Sequence, residues 1–450
     1  MSSAHRKGWC PGALRPMESG DGLIVRLRIV GGALDPHLTR ALAHCAETFG
    51  NGLLDLSSRG NLQLRGVTSE HLPALQTRLD SLGLLDEDPE AEAVRNIVAS
   101  PLAGLDPSAL LDIRPQIRAL DARLRKDKSL HRLPGKFLFM IDDGGCLPLP
   151  AEMADIAFVA EGETDDPVFA VYLAGKLAGY CAVDALCETA ARLALAFQGS
   201  NENDGTAPRR MGDIISRIGT ETLARTSALT LPPVGRVGSL KRSGVGVKPG
   251  IDLSKPNVLG IHDLGAHTAL GLGVPLGRLD QASLHLLAYT AEALGGALRL
   301  APWRSIFLFA ERIGIHVAER LHDAGFAICD DAPIRAVAAC PGKPACLHGT
   351  VSSQADAAHL APFAAKLASS GIALHVSACA KGCAHPSAAP VTLVGRDGAY
   401  DLVLDGRAGD EPLLRGLSRT EVETLLQKLA EIAPADRAAF ASEAFCEAAR

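Results

Sequence analysis

The chain has 450 residues, 47% hydrophobic, 21% charged and only 4% aromatic, with a net charge of −6. That length supports two to four domains with ample core, and the acidic balance excludes a global basic field for nucleic acid. No apolar run approaches the ~18–20 residues of a membrane-spanning helix, the N-terminus reads as no signal peptide, and eleven scattered cysteines are expected as reduced thiols of a cytoplasmic protein.

In chain order, residues 20–32 alternate as a strand, and Asp35 caps a helical run from Leu38 to Phe49 that stops at Gly50-Asn51-Gly52. Strands are predicted over Leu53–Leu56 and Asn61–Val67, with a helix over about 69–83. The arrangement then returns. Val274 to Asp280 repeats Ile29 to Asp35 at an offset of 245, and Leu298, Leu300, Ile306 and Leu308 follow Leu54, Leu56, Leu62 and Leu64 at an offset of 244. A second repeat pairs the strands Ile156–Ala160 and Val168–Leu173 and the helix 183–198 with Val391–Val394, Tyr400–Leu404 and a helix over 418–433. That last helix has a capping box, Ser418 to Glu421. The class is therefore α+β, in two tandem pseudo-symmetric halves, each a small unit followed by a larger one. The boundaries expected are 1–90, 91–230, 231–325 and 326–450. The basic, proline- and glycine-rich stretch 231–256 reads as solvated linker.

Four cysteines organise the second half. Cys340 and Cys346 form C-x5-C, and Cys379 and Cys383 form C-x3-C after a gap of 32 residues. Four thiolates are the usual ligand set of a [4Fe–4S] cube, one soft donor per iron. Pro341, Gly342 and Pro344 keep the first pair out of a regular helix, and Gly382 allows close backbone approach beside Cys383. Zinc competes, although its paired ligands prefer spacings of about two to four residues; four unrelated buried cysteines are the plain reading. Cys181 and Cys187 repeat C-x5-C at a predicted helix, on different faces, and are read as structural. Cys10, Cys45, Cys146, Cys329 and Cys446 have no metal-like spacing.

Tandem halves with a single C-x5-C…C-x3-C resemble the sulfite and nitrite reductase superfamily over roughly residues 10–430. Ser58-Arg59-Gly60-Asn61-Leu62-Gln63 is similar to its Arg-x-x-x-Gln strand, Arg95-Asn96-Ile97 to its Arg-Asn motif, and Leu133-Pro134-Gly135-Lys136-Phe137 to its lysine-bearing segment. The reductases carry Lys-x-Lys there; this chain has Lys136-Phe137-Leu138. With the compact opening Arg6 to Leu23 and Cys379–Pro386, that departure resembles the precorrin-3B synthases of the superfamily. The resemblance implies ferredoxin-like (parachute) half-domains, each followed by a reductase-like α/β domain. It implies an oxidoreductase of cobalamin biosynthesis, an iron–sulfur monooxygenase that hydroxylates precorrin-3A at C20 with dioxygen and closes a γ-lactone. Its cofactors would be a [4Fe–4S] cluster on Cys340, Cys346, Cys379 and Cys383 and a mononuclear non-haem iron of unknown ligands, with an NADH-dependent or ferredoxin-type electron donor. Siroheme belongs to the alternative, a nitrite or sulfite reductase; a non-catalytic electron carrier is a third reading.

A polycarboxylate macrocycle calls for cations, since guanidinium grips carboxylate bidentately. Arg59, Arg95 and Lys136, on the motifs, are expected as catalytic and substrate-binding residues, with Asn61, Gln63 and Arg65 beside them. Arg59 and Arg95 are expected to face the cysteines across a central cleft. His348 and His385 read as structural or supporting histidines, and Asp142-Asp143 as a turn beside Gly144-Gly145.

Overall fold

The computed structural model describes residues 10–200, 210–226, 257–367, 371–437 and 439–440. The predicted linker 231–256 and Cys446 lie outside them. The described residues form four five-stranded sheets in two matched pairs. The first sheet runs Met17–Ser19, Gly22–Leu27, Leu62–Val67, Leu53–Leu56 and Arg278–Asp280 in spatial order. Its counterpart runs Gly260–Asp263, Thr268–Gly273, Ser305–Ala310, Ala297–Ala301 and Ala33–Leu34. Each sheet is therefore completed by a short strand from the other half. Arg278 and Leu279 pair with Asp55 and Leu54, and Ala33 and Leu34 with Arg299 and Leu298.

The exchange explains why residues 20–32 are not one strand. The strand ends at Leu27, and Val30–Gly32 forms a tight turn with Gly31 at φ 58° and Gly32 at φ 68°. Those left-handed values suit glycine. A Cβ on Gly32 would meet the Leu300 carbonyl oxygen at 2.2 Å, and one on Gly277 would meet that of Leu56 at 2.6 Å. The paired contacts repeat the 245-residue offset read from sequence. Asp35 and Asp280 then cap helices Pro36–Phe49 and Gln281–Ala293 by accepting from Leu38 N and Ser283 N. The two helices pack against each other. They and both sheets bury one shared core that includes Leu27, Leu42, Leu54, Leu64, Leu270, Leu284, Leu298 and Leu308. Each buried leucine contributes about 1.5–3 kcal/mol, so neither half owns this core.

The larger domains repeat one topology. Ile97–Ala99, Phe139–Asp142 and Ile156–Glu163 are parallel, and Asp166–Leu173 and Lys176–Ala182 continue antiparallel. Val337–Ala339, Leu374–Ser377, Ala389–Arg396, Ala399–Gly406 and Leu414–Leu417 do the same. Helices Leu186–Gly199 and Arg419–Leu429 follow; Ser418 and Glu421 make the predicted capping box. Cys181 lies on the strand Lys176–Ala182 and Cys187 in the first turn of the helix. No described helix is long and apolar enough to cross a membrane.

Candidate functional site

Strand alternation sorts the first sheet into two faces. Leu62 and Leu64 enter the shared core, while Asn61, Gln63 and Arg65 face the other way. A polar row runs across this face, because Arg26, Gln63, Asp55 and Arg278 are successive cross-strand partners. Arg26 donates to Gln63 Oε1 from Nε (3.3 Å) and Nη2 (3.0 Å), and Arg278 Nε donates to Asp55 Oδ1 at 2.8 Å. Arg59, on the turn Ser57–Asn61, donates from Nη1 to the Lys136 carbonyl oxygen at 3.1 Å, which joins the Arg-x-x-x-Gln strand to the lysine segment. Burial lowers the pKa of its guanidinium, and Arg210 and Arg26 lower it further. Lys136 is exposed, and Asn61 and Gln63 are half-buried. These residues line a cationic wall.

Arg28, two positions along from Arg26, was missed by the motif reading. It is 6% exposed, and its three side-chain nitrogens have no hydrogen-bond partner among the described residues. Glu92 stands 4.0 Å away, and burial pushes the Arg28 guanidinium down to about 10. Arg26 lies on the strand Gly22–Leu27 and Arg28 just past its end, so alternation continued by one residue would have set both arginines on the non-core side.

Two expected substrate residues are engaged internally. Arg95 is buried, with Nε on Asp121 Oδ1 at 2.8 Å and Nη1 on Asp86 Oδ2 at 2.5 Å. Its Nε and Nη1 are thus taken up by two internal carboxylates rather than presented to a substrate. Arg65, 2% exposed, holds Asp21 and Asp55 and donates from Nη2 to the Ala345 carbonyl at 3.0 Å. It braces the cysteine loop and has no donor directed at a substrate. Ser19 Oγ (2.5 Å) and Gly20 N (3.2 Å) donate to the same carbonyl.

The cysteine loops follow the ends of two parallel strands, Val337–Ala339 and Leu374–Ser377. Cys340 Sγ accepts from Ala378 N at 3.2 Å. Gly342, at φ 64°, lets the loop fold onto Ser353, whose N would lie 2.6 Å from a Cβ there. Cys383 is exposed, and its thiol is pushed up by burial of its sulfur, with Cys340, Cys379 and Cys346 each adding to the shift. All four sulfurs therefore share one neighbourhood. Behind the second loop, His375 is fully buried with neither ring nitrogen partnered among the described residues, 5.7 Å from the His385 ring, and its pKa is pushed down to about 4 by burial.

The first half has the same corner without the thiols. Ser100 follows Ile97–Ala99 as Cys340 follows Val337–Ala339, and Ser100 Oγ accepts from Asp143 N at 3.0 Å. Asp142 accepts from Gly144 N and Leu149 N, Asp143 from Gly145 N, and Asp106 from Cys146 N. The aspartates thus close a turn.

The pattern known as the nitrite/sulfite reductase ferredoxin-like half domain matches residues 15–82, and the nitrite and sulphite reductase 4Fe-4S domain matches residues 90–231. A precorrin-3B synthase of Sinorhizobium sp is 32% identical over 91% of this chain and 85% of its own length. The chain belongs to the precorrin-3B synthase family of the nitrite and sulfite reductase superfamily. A ferredoxin–nitrite reductase of Synechococcus elongatus is 27% identical over 94% of the chain and 88% of its own length. The solved structure of the NirA protein of Mycobacterium tuberculosis superimposes with a TM-score of 0.69 at 20% identity, over 91% of this chain and 81% of that one, which establishes the fold.

The 4Fe-4S domain match falls on the half with Ser100, whereas the four cysteines lie in the equivalent corner of the second half. An iron–sulfur cluster is what membership of this superfamily implies. The residues fit it: four thiols gather on two loops, one sulfur already takes a backbone amide, and glycines admit close approach. A mononuclear iron finds no such fit. Among the described residues, no three His, Cys, Asp or Glu side chains are placed to hold a single metal ion. That expectation finds no ligand set among the described residues.

Proposed function

We propose that this chain acts as a precorrin-3B synthase, hydroxylating precorrin-3A at C20 with dioxygen and closing a ring A acetate onto a γ-lactone. The reaction inserts one oxygen atom into substrate and reduces the other to water, so it consumes two electrons and two protons. A ferredoxin-type or NADH-dependent donor provides them. Cys340, Cys346, Cys379 and Cys383 hold the [4Fe–4S] cluster, which when bound passes electrons singly between donor and site. The chain itself binds and orients. Arg26, Arg28, Arg59 and Lys136 meet the acetate and propionate groups, and charge-assisted pairing in a desolvated wall fixes which edge of the macrocycle faces the cysteine loops.

The observation that carries this reading against sulfite or nitrite reduction is Leu138. The reductases hold a second cation at this position. Here the side chain is 1% exposed and packs with Val98, Met140, Leu149 and Ala157. A site for small anions loses a charge it needs, while a large substrate that brings its own carboxylates does not. The similarity to nitrite reductases supports the alternative, and one preparation separates the two. Turnover of precorrin-3A under labelled dioxygen should place one labelled oxygen at C20, and acid–acetone extraction should release no siroheme. Label arriving only from water, or stoichiometric siroheme in the extract, would move the assignment to the reductases.

A further inference from the structure

Between the Arg59 turn and the second cysteine loop lies a cavity of about 270 Å³, with Ser58, Trp303, Arg304, Arg335, Ala384 and His385 in its wall. Ser58 precedes Arg59, and Ala384 and His385 follow Cys383, so the cavity adjoins both parts of the site. One wall is the turn Ala301–Ser305, the counterpart of Ser57–Asn61 at the 244-residue offset. Trp303 stands in the place of Arg59, and Arg304 in the place of Gly60.

Gly60 has φ 72°, a left-handed value that glycine adopts freely. Trp303 and Arg304 take φ 62° and 56° although both carry side chains, which is strained. Three hydrogen bonds hold the turn there: Arg335 Nη1 to Trp303 O at 3.2 Å, Val274 N to Arg304 O at 2.9 Å, and Ser305 Oγ to Pro302 O at 2.7 Å. Strain fixed from several sides marks a place where a side chain is kept for its function. The Arg304 side chain makes no hydrogen bond or ion pair among the described residues. The carboxylate that acts on it is Asp55, already engaged by Arg65 and Arg278. Its stem crosses Gly277, where a Cβ would meet Arg304 Cδ at 2.8 Å. The sequence therefore makes room for this arginine at a position where glycine would cost less.

We propose that Arg304 is a specificity-determining residue that grips one peripheral carboxylate of the tetrapyrrole and seats that edge of the macrocycle in the cavity beside the second cysteine loop. The proposal rests on the polycarboxylate substrate argued above. The cavity is too small for a whole macrocycle and takes one edge with its acid side chain. Arg59 and Arg304, from equivalent turns of the two halves, then hold the substrate from two sides.

The test titrates uroporphyrin III, an air-stable octacarboxylate tetrapyrrole, into the holoprotein and follows quenching of tryptophan emission; Trp303 is one of two tryptophans. Arg304→Gly, which restores the residue of the other half, should weaken Kd roughly ten- to a hundredfold. Its melting temperature should hold or rise, because the strain is released, and the visible absorption of the cluster should stay unchanged. Arg304→Lys should keep part of the affinity. Wild-type affinity in Arg304→Gly, with Arg59→Ala weakened, overturns the role of Arg304 and leaves the macrocycle reading standing. Affinity and melting temperature falling together in Arg304→Gly make the residue structural and also overturn the proposal. Failure of the wild-type protein to bind the macrocycle removes both readings.

Discussion

Asp143 shows how much a single buried side chain can carry in the corner that has no thiols. It is 2% exposed, its Oδ2 has no partner among the described residues, and burial, with Asp142 and Asp106 adding, pushes its carboxyl up to about 7. An acid whose folded pKa lies above its unfolded one binds its proton more firmly in the native state. Between about pH 4 and pH 7 the native chain therefore holds the extra proton, and stability falls as pH rises through that window. Asp143→Asn keeps an acceptor for Gly145 N and removes the charge. The variant should melt higher than the parent at pH 8, by up to a few kcal/mol in stability, and match it near pH 4. A scan of melting temperature across that range gives the answer, and an unchanged slope would mean the carboxyl is ionised throughout. Cys146, in the same corner, is pushed up to about 12 by burial and Asp106, so it stays a thiol.

At the scale of elements, the cysteine loops depend on groups from three others. Arg65, Ser19 and Gly20 hold the Ala345 carbonyl one residue before Cys346. Cys379→Ser should abolish the brown absorption of the cluster, and Cys181→Ser should leave it intact. Arg65→Ala should lower cluster content as well, because it leaves Asp21 without its ion-pair partner and releases the loop; iron and sulfide analysis of the purified variants measures this. A colourless wild-type protein reconstituted under anaerobic conditions would remove the cluster assignment. The helices, the capping box and the repeat were legible because caps and apolar spacing are local signals. The short strands Ile97–Ala99 and Phe139–Asp142 were not, since three residues are too few to establish an alternation and the four of Phe139–Asp142 are all buried. Motif position also gave no sign of the partners of Arg95: Asp121 reaches it from the helix Arg114–Lys126 and Asp86 from the loop before Pro89–Val94, and no spacing in the chain announces either.

At the scale of the molecule, the two halves are chemically unequal but mechanically inseparable. Thiols occupy one corner, and the hydroxyl of Ser100 with a hydrogen-bonded group of aspartates occupies its twin. The offset of 244–245 residues exposed the duplication, yet only the three-dimensional pairing reveals that each of the two smaller-domain sheets borrows its last strand. Either half expressed alone should be insoluble or lack a cooperative melting transition, because it lacks that strand and leaves the shared core open. The halves produced together should co-purify. Calorimetry decides the matter: a sharp transition from one half by itself would make the exchanged strands dispensable.

The exchange also sets a timetable for synthesis. When Leu53–Leu56 has just been translated, the strand that will cover its edge, Arg278–Asp280, is still more than two hundred residues away along the message. At about 5–20 residues per second that edge waits on the order of 10–45 s with its backbone groups unpaired. The same interval leaves Leu54 and Leu56 without their partners from the second half. A nascent chain in that state is a ready template for pairing with its neighbours on the same message, so its yield in cells should depend on translation speed and chaperone supply over the segment from Leu56 to Asp280.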